Sequence, residues 1–172
     1  MRGVGIAGGL SLLAIFAGRI EGADSSIEEK IKAIRQRYAE VEGELKHCKQ
    51  VKRDLPGESA EGGELTGYFK GSSLCKMTAR FYGETGNALE EYYFGEGQLV
   101  FVLRTESRYT KPLSGVVKNR TEERLYFVDN KLIRWLDAEK KPVALSQEAG
   151  QRGGELLARA EKYSHLLNSP KE

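Results

Sequence analysis

Three Tyr-Phe pairs recur along the chain, Tyr68-Phe69, Tyr93-Phe94 and Tyr126-Phe127, and each is followed after four residues by a leucine: Leu74, Leu99 and Leu132. The intervening segments, Lys70-Gly71-Ser72-Ser73, Gly95-Glu96-Gly97-Gln98 and Val128-Asp129-Asn130-Lys131, are polar or flexible. Gly and Asn tolerate the positive φ that two-residue hairpin turns require, so each copy reads as two strands joined by a tight turn. Three serial hairpins demand an antiparallel sheet, because such short links cannot connect parallel strands.

Alternation and turn residues place six strands at 64–70, 73–82, 88–95, 98–104, 122–128 and 131–137. Gly83-Glu84-Thr85-Gly86 joins the second and third, and a three-residue turn with Gly86 left-handed sets Phe81 opposite Leu89. The segment 105–121 reads as an exposed excursion with a basic pair, Lys118 and Arg120. Before the strands, Ile27, Ile31, Ile34, Tyr38, Val41, Leu45 and Cys48 fall at helical spacing, with Ser25 or Ser26 placed to cap the helix. Its other face, including Arg35, reads as solvated charge. That narrow stripe suits packing on the chain's own sheet better than a coiled-coil partner. The stretch from Lys49 to Leu55 has no clear period, and Pro56-Gly57 opens a loop. Leu156, Ala160, Tyr163 and Leu167 share a face of a second helix, secure over 155–167 and weakened before that by Gly150, Gly153 and Gly154. The expected class is α+β: a six-stranded antiparallel meander of three Tyr-Phe hairpins flanked by an N-terminal and a C-terminal helix.

Arg2, an apolar run from Val4 to Ala17 and the small residues near Ala23 have the order of a secretory signal peptide over 1–23, and the run is short for a membrane span. This predicts an exported chain, periplasmic or secreted, with one domain over 24–168 and a frayed tail over 169–172. Cleavage after Ala23 removes Arg2, Arg19 and Glu21 and lowers the formal charge from +2 to +1. Such a chain is a poor nucleic-acid binder, since phosphate recognition relies on basic clusters. In an oxidising compartment Cys48 and Cys75 are a candidate disulfide. On the chain-entropy account a loop of that length stabilises by roughly 3.5 kcal/mol.

If each phenylalanine opposes its leucine and alternation continues unbroken, Lys76, Arg80, Glu90, Tyr92, Phe101 and Arg134 share the phenylalanine face. Basic residues beside aromatic rings there suit an unknown protein or an anionic envelope ligand. Cys75 falls on the reverse face, and a Cys48–Cys75 bond would seat the first helix there. The phenylalanine face is then the seat of the second helix or an open recognition surface.

Catalytic patterns are weak. His47 and His165 have no Cys or acid at metal-ligand spacing, and there is no phosphate-cradling Gly-x-x-x-x-Gly-Lys loop, so no cofactor or metal is expected. Glu90 and Glu91 point to opposite faces, as do Glu122 and Glu123, and neither pair makes a glycosidase dyad. Gly57-Glu58-Ser59-Ala60-Glu61 lacks the final glycine of a serine-hydrolase elbow.

Glu61-Gly62-Gly63-Glu64-Leu65-Thr66, Phe81-Tyr82-Gly83-Glu84-Thr85-Gly86, Glu91-Tyr92-Tyr93-Phe94 and Lys131-Leu132-Ile133-Arg134-Trp135-Leu136-Asp137 resemble a group of small exported bacterial proteins of uncharacterised function. The serial hairpins are more loosely similar to the meanders of beta-lactamase inhibitor protein type domains. The resemblance brings no catalytic residue. The expected function is a non-enzymatic exported binding module, an inhibitor or envelope-ligand binder. The rivals are a cell-envelope hydrolase with a site built from loops and a structural assembly factor.

Overall fold

Tight turns set the architecture. In the structure, a computed structural model that describes residues 20–170, seven strands follow one another as neighbours in a single antiparallel sheet. They are β1 (Lys49–Asp54), β2 (Gly63–Lys70), β3 (Ser73–Gly83), β4 (Gly86–Gly95), β5 (Gln98–Tyr109), β6 (Val117–Val128) and β7 (Lys131–Leu136). Helix α1 (Ile20–Glu44) precedes the sheet through a 3-10 turn at Leu45–His47, and α2 (Gln147–Asn168) follows it. Most of the expected signal peptide lies outside the described residues.

The seventh strand, β1, is an addition to the expected six. It pairs with β2 from Lys49↔Phe69 to Asp54↔Glu64, but lies at the sheet edge with mostly exposed side chains. Its sequence, Lys-Gln-Val-Lys-Arg-Asp, therefore carries little apolar alternation. Strands β5 and β6 also run further than expected, pairing from Phe101↔Tyr126 to Tyr109↔Val117, so the excursion shrinks to a hairpin apex. Gly83 pairs with Gly86 and Phe81 with Ala88, which makes the β3–β4 link a two-residue turn rather than the expected three. Helix α1 begins at Ile20, ahead of Ser25 and Ser26, so neither serine is its cap in the described chain.

The three hairpin turns follow the sequence pattern. Glu96 and Gly97 have φ of 52° and 79°, and Asp129 and Asn130 have 49° and 56°, the paired positive values of two-residue loops that match strand twist. At the β2–β3 turn Gly71 takes φ 63°. The leucine pairings are as the repeat requires: Phe69↔Leu74, Phe94↔Leu99 and Phe127↔Leu132.

One rung further on, each hairpin slips. Tyr68 faces Lys76, Tyr93 faces Phe101 and Tyr126 faces Arg134, leaving Cys75, Val100 and Ile133 as extra residues of three β-bulges. A one-residue insertion reverses every later side chain of the strand. Met77, Val102 and Trp135 therefore join the phenylalanines, whereas Lys76, Phe101 and Arg134 join the tyrosines. The expectation of a common face for Lys76, Arg80, Glu90, Tyr92, Phe101 and Arg134 fails for this reason.

A helix covers each face. On the tyrosine face Ile31, Ile34 and Val41 of α1 pack with Cys75, Tyr93, Phe101 and Tyr126. On the other, Leu156, Ala160, Tyr163 and Leu167 of α2 pack with Leu65, Phe69, Met77, Tyr92, Phe94, Leu125 and Phe127. Fully burying a side chain such as Ile31 contributes about 2 kcal/mol, so packing rather than intrinsic propensity holds α1 in place. Ser146 caps α2 by accepting from Ala149 N at 3.4 Å, and the helix runs through its three glycines. A Cβ on Gly153 would lie 3.0 Å from Leu132 Cβ, so that residue lets α2 approach β7 closely.

Candidate functional site

The expected binding residues divide between the two faces, and the buried ones are engaged internally. On the α1 face Lys76 reaches Glu42 of α1 at 2.6 Å and Glu91 of β4 at 2.7 Å, with its Nζ 4.8 Å from the Tyr93 ring centre. Burial works against the ammonium, but the hydrogen bonds to Glu42 and Glu91 outweigh it and hold its pKa above the ordinary lysine value. Tyr93 donates to Glu42 at 2.8 Å, and burial followed by the Glu91 charge pushes its phenol pKa far up. Arg134 pairs with Glu28 of α1. Strand alternation from Lys76 places Arg80 on this same face, half-buried. Lys76, Tyr93 and Arg134 fasten α1 to the sheet.

Glu90 and Tyr92 belong to the α2 face. Arg159 of α2 donates to both Glu90 oxygens at 2.9 and 3.0 Å, and Tyr92 also donates to that carboxylate. Arg104 lies 3.5 Å from Glu90 and also meets Glu106 and Glu123. Burial opposes the Arg159 charge, and the attraction of Glu90 more than restores it. Nearby, Lys162 and Tyr163 donate to Glu58, and the Lys162 hydrogen bond is the main cause of a lowered Glu58 pKa. Ser59 donates to the Gly62 carbonyl and closes its own turn, a structural use of that hydroxyl. Among the described residues no group of three His, Cys, Asp or Glu side chains could hold a metal ion.

Phe101, of the expected set, lines a recess. Between α1 and strands β5 and β6, Ile34, Arg35, Tyr38, Phe101, Leu103, Arg124 and Tyr126 enclose about 230 Å³. Its aromatic wall is continuous: Tyr38 and Phe101 are 5.6 Å apart edge-to-face, and Phe101 and Tyr126 are 4.9 Å apart. The Arg35 guanidinium lies 5.9 Å from the centre of the Tyr126 ring and has no hydrogen bond or ion pair among the described residues. The Tyr38 and Tyr126 hydroxyls likewise have no hydrogen-bond partner there. Arg124 is held by Glu122, from Nε at 2.8 Å and Nη2 at 2.7 Å, leaving Nη1 available. Burial, then the nearby Glu42 and Glu91 charges, raise the Tyr38 pKa, so this phenol stays a donor at neutral pH.

Larger depressions flank the hairpin turns, but their chemistry is less selective. One of about 500 Å³ sets Phe94, Leu99 and Leu157 beside Glu161 and His165. Another of about 480 Å³ mixes Lys30 and Arg37 with Glu96 and Asp129, and Arg37 is already committed to the Phe94 carbonyl at 2.9 Å. Of these three depressions, the smaller one joins a ring-lined wall to two guanidinium groups.

Sequence reasoning missed Arg35, which sits among helix charges read as solvated, and Arg124, whose role depends on α1 crossing over it. Tyr38 carried the available signal, as a polar-tipped ring in a stripe otherwise of Ile, Val, Leu and Cys. No family model, curated protein or solved structure matches this chain.

Proposed function

We propose that this protein is an exported, non-enzymatic binding module whose recess between α1 and the sheet takes a ligand joining one apolar ring to an anionic group. Support comes from the Arg35 guanidinium, which lies against an aromatic wall with no anion among the described residues to satisfy it. A guanidinium and an aromatic ring together favour planar anionic groups. Size narrows the ligand further: an apolar cavity of about 150 Å³ accommodates benzene. The 230 Å³ here suits a single ring with its carboxylate. The export component rests on the amino-terminal sequence.

Saturation-transfer NMR with phenylacetate and its neutral analogue phenylacetamide tests this reading. Phenylacetate is expected to bind, with phenylacetamide at least about tenfold weaker, because a hydrogen bond to a charged group contributes about 1.5–3 kcal/mol. Equal binding of acid and amide, or no binding of either, contradicts it.

A further inference from the structure

The apex of the β5–β6 hairpin is the most exposed apolar feature among the described residues. Leu113, Val116 and Val117 are 73%, 60% and 50% exposed, and every residue from 111 to 120 is exposed. The sequence from Ser107 to Thr121 contains Arg108, Lys111, Lys118 and Arg120 and no acid at all. None of those four cations has an ion-pair partner among the described residues, in contrast to Lys76, Arg104, Arg124 and Arg134.

The apex is also built to keep its shape. Thr110 N donates to the Val116 carbonyl at 2.8 Å, and Ser114 N to Lys111 at 3.2 Å. The β3–β4 turn braces it from the side, with Leu113 N donating to Glu84 O at 2.6 Å and Tyr109 N to Thr85 O at 2.9 Å. Leu113 sits at φ 59°, a left-handed conformation that glycine takes freely and leucine does not. An unfavourable backbone that presents a large apolar side chain to solvent is a feature of sites that use the side chain.

We propose that this hairpin apex docks the protein on a membrane surface rich in anionic phospholipid, with Leu113, Val116 and Val117 entering the interface and Arg108, Lys111, Lys118 and Arg120 meeting the headgroups. The geometry fits that layer. Arg120 is three residues along the strand from Val117, about 10 Å at the strand rise, and interfacial elements bury their apolar side about 5–10 Å deep. A convex apex with unpaired cations on both strands complements an extended polyanionic plane. A protein partner would need a matching acidic cavity, and the apex offers it no groove. No described helix is long and apolar enough to cross a membrane. The apex shares no residue with the lining of the recess under α1.

Vesicle co-sedimentation of the full chain tests it, with phosphatidylcholine vesicles compared with vesicles that also contain phosphatidylglycerol. Each basic group near an anionic surface adds about fivefold to affinity, so the anionic vesicles should bind at least about tenfold tighter, and added salt should remove the difference. Leu113→Ser/Val116→Ser/Val117→Ser should weaken binding to both kinds of vesicle, and Lys111→Glu/Lys118→Glu should abolish the preference for the anionic one; both variants change exposed positions and should keep the wild-type circular dichroism spectrum. The apolar stretch Val4–Ala17 is common to all three proteins. Vesicle binding that both variants retain, or that is equal on neutral and anionic lipid, overturns the proposal. So does a sedimentation-velocity dimer abolished by the serine variant, which would assign the apex to a second copy of the chain.

Discussion

Lys76 shows how a residue chosen for recognition can instead be structural. Its side chain is only 6% exposed and lies between Glu42 and Glu91, so removing the cation strands two carboxylates under α1. Breaking one partner out of a buried ionic group destabilises by about 3–5 kcal/mol, and partial exposure of Glu42 places Lys76→Met at the lower end, about 3 kcal/mol. Adding Glu91→Gln should recover part of that loss, which urea unfolding of the single and double variants will measure. Glu58 gives the acid side. Its pKa is lowered in the folded state, chiefly by Lys162, so the unfolded chain binds its proton first as pH falls. The contribution is present above the unfolded value of about 4.3 and disappears as pH drops through the folded one. Because Lys162 is well exposed, the effect is about 0.5 kcal/mol. The stability gap between wild type and Lys162→Met at pH 7 should therefore close in strong acid.

Elements were legible where local chemistry decides them. The three turns and both apolar stripes could be read from glycines, asparagine and helical spacing, and the leucine pairings followed. The bulges could not, because Cys75, Val100 and Ile133 are ordinary strand residues whose extra position appears only once Tyr68, Tyr93 and Tyr126 find their partners. That single unreadable residue per hairpin moved Lys76, Phe101 and Arg134 to the other face. The glycines of α2 offer a test of its packing. A Cβ at Gly150 or Gly154 meets nothing within 4 Å, whereas at Gly153 it would press on Leu132. Gly150→Ala and Gly154→Ala should each stabilise by about 1 kcal/mol, as helix propensity dictates. Gly153→Ala should lose that gain to overpacking, and thermal melts of the three variants give the comparison.

At the scale of the molecule, one sheet is enclosed by a helix on each face. The same enclosure made the recess illegible: its walls come from α1, β5 and β6, and no local spacing links Arg35 to Arg124. The two thiols are free in this structure, and burial, then the neighbouring Cys75, raise the Cys48 pKa. Air oxidation should join them, leaving no thiol reactive to a disulfide reagent and adding roughly 3.5 kcal/mol to stability. Two thiols still titrating after oxidation would rule out that bond. Binding in the recess is to be measured by a calorimetric double-mutant cycle. Phenylacetate is to be titrated into wild type, Arg35→Ala, Arg124→Ala and the double variant. Each single change should weaken binding about tenfold, and the double change less than the product of the two, because both guanidinium groups act on one carboxylate. Phenylacetate affinity that is unchanged across all four proteins would contradict a binding site between α1 and the sheet.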